Sequence, residues 1–86
     1  MTLKAGMEIT LKYFGVIAEI MGSEFEVLNI QSETITLKDL DEIIVEKNNL
    51  LKEQKYKIAV NQSIIDRNIT INENDEIALL PPFSGG

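Results

Sequence analysis

A chain of 86 residues with 44% hydrophobic and 26% charged side chains is long enough for one small domain with a single core. It contains no cysteine and no histidine, which excludes disulfides, thiolate metal sites, a cysteine nucleophile and the commonest general base. The net charge of −6 disfavours a nucleic-acid or anionic-membrane surface and suits a basic protein partner, although solubility alone would also explain it.

The chain divides by pattern into a leader, a domain and a tail. Residues 1–6 show no periodicity and are expected to be a disordered leader, followed by a domain over residues 7–80 and a functional tail over residues 81–86. No apolar run is long enough to span a membrane, and no signal-peptide pattern is present. We therefore expect a cytoplasmic protein that does not associate with membranes.

The first part of the domain predicts a strand and a short helix. Residues 9–13 alternate between apolar and polar side chains, which predicts a strand. Its apolar face comprises Ile9, Leu11 and Tyr13. Phe14 falls on the opposite parity and is expected to be exposed. Residues 16–21 predict a helix of one to two turns, because Gly22 follows at the position of a C-terminal cap.

A second strand and the main helix come next. Residues 24–30 predict a strand with apolar side chains on both parities, so either a bulge lies near residue 27 or both faces are partly covered. Residues 37–48 predict the main helix, because Thr36 and Asp39 have the spacing of a capping box. The apolar stripe of this helix comprises Leu37, Leu40, Ile43 and Ile44.

The second half of the domain contains the remaining strands. Residues 57–60 predict a strand, and residues 64–65 predict a further short extended segment. Ile69 and Ile71 are expected to contact the core. Residues 72–75 predict a tight turn into a last strand, 76–80. This last strand is apolar on both faces, so it is either central in the sheet or lies beneath a partner. One sheet with one main helix on one face gives an α+β domain.

The tail reads Pro-Pro-Phe-Ser-Gly-Gly. Pro81 and Pro82 lack the N–H of a strand and favour a stiff, extended exit from the domain. Gly85 and Gly86 carry no Cβ, so the tip could enter a slot too narrow for any side chain, with a reach of roughly 15–18 Å from Pro82. Frayed termini also contain glycine, but the whole succession from apolar strand to Gly-Gly favours a functional tail.

Three stretches carry a resemblance to a known family. Residues 74–86, Asn-Asp-Glu-Ile-Ala-Leu-Leu-Pro-Pro-Phe-Ser-Gly-Gly, resemble the C-terminal signature of the small subunit of molybdopterin synthase. Tyr-Phe-Gly at 13–15 and Ala-Val-Asn-Gln at 59–62 are similar to the first strand and the mid-chain turn of that family. Asn74 stands where the family usually has glycine, and we expect the same turn there because asparagine tolerates a left-handed backbone.

The resemblance implies a ubiquitin-like β-grasp fold and a sulfur carrier. In this family an ATP-dependent, ubiquitin-activating-like adenylyltransferase adenylates the terminal glycine, and sulfur displaces AMP to leave a thiocarboxylate. The thiocarboxylate donates sulfur to cyclic pyranopterin monophosphate inside the large subunit, and a heterotetramer of two small and two large subunits is expected. The chain itself is expected to bind no cofactor and no metal and to supply no catalytic side chain.

The resemblance also assigns roles to residues of this chain. Gly86 would carry the acyl-adenylate and then the thiocarboxylate, and Gly85 would provide clearance. The candidates for contact with the large subunit are Phe14, Leu80, Pro81, Pro82, Phe83 and Ser84.

Other functions stay open at this point. A thiamine-pathway sulfur carrier shares the fold and the Gly-Gly end, but it is usually shorter and lacks the two prolines. A protein modifier that forms isopeptide bonds through Gly86 shares the activation step. A plain binding module is the remaining alternative.

Overall fold

The computed structural model describes residues 6–82; the tail residues 83–86, and the predicted leader apart from Gly6, lie outside this range. The strands are β1 (Met7–Tyr13), β2 (Phe25–Ile30), β3 (Ile35–Thr36), β4 (Lys57–Val60), β5 (Ser63–Ile65), β6 (Thr70–Ile71) and β7 (Glu76–Leu80). The helices are α1 (Val16–Met21), α2 (Leu37–Lys47) and a 3₁₀ helix (Asn49–Glu53). The predicted α+β class, with one main helix, is confirmed.

The main sheet has five strands in the order β2-β1-β7-β4-β5. β1 runs antiparallel to β2 and parallel to β7, and β4 is antiparallel to both β7 and β5. β7 is therefore central, which explains why its sequence is apolar on both faces. Ile77 and Leu79 are fully buried on the core side, and Ala78 faces the other way. The short strands β3 and β6 form a separate antiparallel pair.

The core lies between one face of the main sheet and α2. On β1 the predicted face is confirmed, since Ile9, Leu11 and Tyr13 are buried. On α2 the buried residues are Leu37, Leu40 and Ile44, with Ile43 partly buried against them. The amide of Asp39 donates to Thr36 Oγ1 at 3.2 Å, so the predicted cap begins the helix. Gly22 closes α1 in a left-handed conformation, as its spacing predicted.

Three short elements were not predicted, namely β3, β6 and the 3₁₀ helix, and both explanations given for the apolar faces of the second strand were wrong. The pairing of β1 with β2 is continuous, so no bulge lies near residue 27, and Phe25 and Val27 are 60% and 50% exposed rather than covered. Asn48 follows α2 and caps the 3₁₀ helix, because its side-chain Oδ1 accepts a hydrogen bond from the backbone amide of Leu50. That helix places Leu51 in the core. β3 and β6 have two residues each, too few to show a period in the sequence.

Two tyrosine–carboxylate hydrogen bonds connect different elements of the fold. Tyr13 donates its hydroxyl hydrogen to Glu26 on β2, and Glu26 also lies 3.4 Å from Nζ of Lys47 at the end of α2. Tyr56 donates in the same way to Asp41 on α2. Burial, followed by the hydrogen bond to the carboxylate, raises the pKa of each tyrosine well above its ordinary value. Among the helices of residues 6–82, none has the length and apolar character needed to cross a bilayer.

Candidate functional site

The candidate site is an apolar depression on the face of the sheet that points away from α2. We call it the outer-face depression; its volume is about 370 Å³. It is lined by Lys12, Phe14, Ala59, Gln62, Ile64, Glu76, Ala78 and Leu80. Alternation along the strands explains this set, because the residues between them on β1 and β7 point into the core. The depression therefore runs along β7 from Glu76 to Leu80, and at Leu80 it reaches the point where the tail begins.

The depression exists because two small side chains are neighbours on adjacent strands. Ala59 on β4 is the Cα partner of Ala78 on β7, and together they form a low floor. Larger apolar side chains of Phe14, Ile64 and Leu80 stand around them. Phe14 is 45% exposed and Ile64 is 52% exposed, so apolar surface is available to a partner.

An ion pair limits the depression on one side. Nζ of Lys12 lies 3.1 Å from a carboxylate oxygen of Glu76, across the β1–β7 boundary. Lys12 also faces Phe25 in the β1–β2 register, so it separates the depression from the exposed side chains of Phe25 and Val27. Such a partly exposed pair adds little stability, but it gives the rim of an apolar surface a fixed polar contact.

The base of the tail is held against the turn between β1 and α1. Gly15 has φ +56° and ψ −134°, a conformation that favours glycine, and it directly precedes α1. An ideal Cβ on Gly15 would lie 2.8 Å from Cγ of Pro81, so the proline ring occupies the space a side chain would need. The amide of Phe14 donates to the carbonyl of Leu79 at 3.3 Å, which extends the pairing to this point. The chain thus leaves the sheet along a defined path.

Hydrogen bonds of the turn residues Asn61 and Asn74 hold the start of β7 in place. Asn74 has φ +69°, and its amide donates to the carbonyl of Glu8 at 3.0 Å, so asparagine does form the left-handed turn predicted for this position. The backbone amide of Asn61 donates to the carbonyl of Glu76 at 2.8 Å. In return, the backbone amide of Glu76 donates to the side-chain Oδ1 of Asn61 at 3.0 Å. The register of β7, and therefore the position of its last residues, is set by these bonds.

The structure brings together three of the predicted contact residues. Phe14 and Leu80 line the outer-face depression, and Pro81 rests on Gly15 at its edge. Pro82 is exposed just beyond. The other predicted site residues, Phe83, Ser84, Gly85 and Gly86, lie outside the described residues.

Sequence reasoning missed the floor and the side wall of the depression. Ala59, Ala78 and Ile64 come together through strand pairing, and the sequence shows no neighbour relation between them. The sequence did hold one usable signal for Ile64. It is adjacent to Ile65 in an extended segment, so only one of the two side chains can face the core. In the sequence, Gly15 stands out only as part of the Tyr-Phe-Gly stretch, and its contact with Pro81 needs the parallel pairing of β1 and β7.

The side chains that line the depression suit a binding surface better than a catalytic site. Its ionisable members, Lys12 and Glu76, are paired with each other. In the part of the chain that the structure describes, no group of three or more His, Cys, Asp or Glu side chains is arranged to hold a metal ion. The described site therefore offers an apolar surface with a polar rim, next to the exit of the tail.

Solved structures with this fold define the class of the domain. A Pyrococcus furiosus protein described as molybdopterin converting factor, subunit 1, superposes with a TM-score of 0.81 at 21% identity over 90% of this chain and 99% of that chain. Small archaeal modifier protein 1 of Haloferax volcanii gives 0.78 at 20% identity over 91% and 100%. At these identities the likeness shows the fold alone, and the fold is the ubiquitin-like β-grasp expected from the sequence.

Two further comparisons have higher sequence identity. A chain in a complex of subunits 1 and 2 of molybdopterin-converting factor from Helicobacter pylori is 34% identical, with a TM-score of 0.64, over 93% of this chain and all of that chain. A molybdopterin synthase sulfur carrier subunit from Dictyostelium discoideum is 61% identical over 31 residues, 34% of this chain and 36% of that protein. The matched segment thus spans about a third of this curated relative.

A family model described as the ThiS family matches residues 11–86. The chain belongs to the ThiS family. Its resemblance to the small subunit of molybdopterin synthase, first seen in the tail, is confirmed.

Proposed function

We propose that this protein is the sulfur carrier subunit of molybdopterin synthase and that it delivers sulfur as a thiocarboxylate on Gly86. The observation that carries the proposal is the 34% identity, over nearly the whole chain, to a chain in the complex of subunits 1 and 2 of molybdopterin-converting factor. The curated relative with the 61% identical segment bears the same role in its name. The outer-face depression beside the exit of the tail offers apolar surface for such a complex.

The tail carboxylate has to be activated before it can carry sulfur. An α-carboxyl group with a pKa of about 3.3–3.7 is ionised at neutral pH and is a poor electrophile. An adenylyltransferase would join it to the AMP part of ATP and release pyrophosphate. A sulfide-level donor would then attack the Gly86 carbonyl carbon and displace AMP, leaving the thiocarboxylate. The chain needs no bound cofactor for these steps, and because they consume ATP we also propose a cytoplasmic location.

The described surface would dock the large subunit. Phe14 and Leu80 offer exposed apolar area around the alanine floor, and Lys12 with Glu76 offers a polar rim. Because Pro81 rests on Gly15, the tail would leave the docking surface in a fixed direction. We propose that Pro82, Phe83 and Ser84 extend this contact along the partner and that Gly85 passes through its narrowest point.

Sulfur transfer itself would take place within the partner. The thiocarboxylate sulfur would attack a carbon of cyclic pyranopterin monophosphate and displace an oxygen substituent, and water would then hydrolyse the resulting thioester and return Gly86 as a carboxylate. Two such transfers would complete the dithiolene of molybdopterin. The acidic chain, at net charge −6, would be drawn to a basic entrance, and side chains of the large subunit would act on the precursor. Two small and two large subunits would form the working heterotetramer.

Reconstitution from purified components tests this proposal. The protein is incubated with an activating enzyme, ATP and a sulfur donor, and the loaded protein is then mixed with a large subunit and cyclic pyranopterin monophosphate. We expect molybdopterin in amounts proportional to loaded protein, and none from Gly85→Val or from a chain lacking Gly86. A Phe25→Ala variant, changed outside the depression, should remain active.

Other products would overturn the proposal. Conjugates to lysine side chains in place of molybdopterin would make the protein a modifier. Sulfur transfer restricted to thiamine-pathway acceptors would make it a carrier for that pathway.

A further inference from the structure

A second concave surface borders the outer-face depression at Ile64, which lines both of them. It is a groove of about 400 Å³ between the N-terminal half of α2 and the hairpin of β4 and β5. Its lining comprises Leu37, Lys38, Asp41, Tyr56, Lys57, Ile58, Ile64, Ile65, Asp66, Arg67 and Asn68. Apolar side chains form its floor and charged side chains stand around them, which is the pattern of a peptide-binding surface. We call it the α2–β5 groove.

One wall of the groove is an open sheet edge. Within residues 6–82, β5 pairs with β4 alone and is the last strand of its sheet. Asn61 and Gln62 both have positive φ and form a two-residue hairpin turn, so the flanking pair Val60 and Ser63 is hydrogen-bonded. Antiparallel pairs alternate between hydrogen-bonded and non-hydrogen-bonded. The N–H and C=O of Ile64 therefore point away from β4, toward the edge.

The charges around the groove differ from those of the whole chain. Lys38, Lys57 and Arg67 are exposed at its rim, although the chain has only 8 Lys and Arg against 14 Asp and Glu. The ion pairs among residues 6–82 are Lys12–Glu76 and Lys47–Glu26, so the three cations of the rim take part in none. Of the two carboxylates in the lining, Asp41 already accepts the hydroxyl of Tyr56. The rim is thus matched to carboxylates supplied from outside.

We propose that the α2–β5 groove binds an extended, carboxylate-bearing segment of a partner protein, which adds to the sheet as a strand beside β5. The backbone of Ile64 would bond to the added strand, as in other cases of strand addition to an edge. Apolar side chains of the segment would cover Ile58 and Ile65, and its carboxylates would reach Lys38, Lys57 and Arg67. This site is separate from the sulfur-carrier role, since the tail leaves from β7.

Nuclear magnetic resonance on the isotope-labelled full-length chain tests the proposal. The probe is a capped peptide of alternating glutamate and valine, long enough to cover the three residues of β5. We expect saturable amide shifts that centre on Ile64, Ile65 and the loop 66–68 and leave Phe14 and Leu80 unchanged. A peptide with lysine in place of glutamate should not bind, and neither should one whose backbone amides are alternately N-methylated.

Charge-reversal variants give the matched comparison. Lys38→Glu and Arg67→Glu should each raise the dissociation constant of the probe by roughly fivefold or more, since each replaces an attraction by a repulsion. Lys38 lies in the first turn of α2, where a negative charge is compatible with the helix, so that variant should fold. Lys52→Glu makes the same change in net charge on the 3₁₀ helix outside the groove, and it should leave the constant within about twofold.

Several results would overturn the assignment. The groove is not a peptide site if the probe causes no shifts at millimolar concentration, or if Lys52→Glu weakens binding as much as Arg67→Glu. Equal binding of the N-methylated peptide would rule out strand addition. Equal shifts with inorganic phosphate would make it a general anion site, and shifts confined to Phe14 and Leu80 would assign the peptide to the outer-face depression.

Discussion

Pro81 rests directly on Gly15: a Cβ built on that glycine would lie 2.8 Å from Cγ of the proline ring. The two residues are far apart in sequence and meet because β1 and β7 are parallel neighbours. Gly15 is therefore more than a break after β1. It provides the space in which the first residue of the tail sits, and it determines where the tail starts.

Replacing Gly15 should disturb the tail as well as the fold. Gly15→Val places a β-branched side chain at φ +56° and forces Pro81 to move, so we expect a loss of about 1–3 kcal/mol in the free energy of unfolding and weaker binding to the large subunit. Urea unfolding and titration calorimetry measure the two effects. The matched control is Gly22→Val, at φ +74° with no heavy atom within 4 Å of the added Cβ. It should lose similar stability and keep its affinity; equal loss of affinity in both variants would refute a specific role for the Gly15–Pro81 contact.

Phe14 should act in binding and contribute little to folding. It is 45% exposed and lines the outer-face depression, so Phe14→Ala should change the thermal midpoint little. We expect it to weaken binding to the large subunit by about 2 kcal/mol, roughly thirtyfold, as apolar anchors do. Phe25→Ala is the control, because Phe25 is more exposed but lies beyond Lys12. If the two variants bind equally well in calorimetry, the depression is not the docking surface.

Filling the floor of the depression should block docking without unfolding the domain. Ala59 is only 4% exposed, but Ala59→Leu adds atoms that can extend into the open depression, so we expect a loss of no more than about 1–3 kcal/mol in the free energy of unfolding. Complementary packing at an interface core is as close as in a protein interior, and the added volume should abolish tight binding. Thr10→Leu adds bulk to the same sheet face outside the depression and should bind normally. Full affinity of Ala59→Leu would show that the partner docks elsewhere.

Tyr13 should make stability depend on alkaline pH. Burial and the hydrogen bond to Glu26 raise the pKa of Tyr13 above its ordinary value of about 10, so the folded chain keeps a proton that the unfolded chain releases. Its contribution is complete below pH 10 and is lost as the pH rises above that value, by at most about 1.4 kcal/mol per pH unit. Tyr13→Phe should be less stable at neutral pH by about 1 kcal/mol. Urea unfolding from pH 7 to pH 11 should show the gap to wild type narrowing above pH 10; a constant gap would contradict the shift.

Elements with a local signal could be predicted from the sequence. The cap at Thr36 and the apolar stripe predicted the bounds of α2 to within one residue. Because β7 is apolar on both faces, the sequence predicted that it is either central in the sheet or covered by a partner. The strand order shows that it is central. The turn at Asn74 followed from the tolerance of asparagine for a left-handed backbone.

Features that depend on distant neighbours could not be predicted. Phe25 and Val27 have the composition of buried strand residues, but they face outward on an edge strand, and no local rule separates the two cases. The alanine floor needs the register of β4 against β7, and the Gly15–Pro81 contact needs β1 beside β7. The fold places Phe14, Leu80 and Pro81 near one another and shows the surface between them, and their role in partner contact stays a prediction.

Intact mass spectrometry of the protein after activation tests the central claim most directly. The protein is incubated with an activating enzyme, ATP and a sulfur donor, and fragmentation then locates any added mass. The chain contains three methionines whose oxidation adds a nearly equal mass, so a variant lacking Gly86 is treated in parallel. A sulfur-carrying chain should gain the difference between a sulfur and an oxygen atom on Gly86, only with ATP present, and the shortened variant should gain none there. An unchanged Gly86 in a sample where the activating enzyme consumes ATP and loads a known carrier would contradict the sulfur-carrier role.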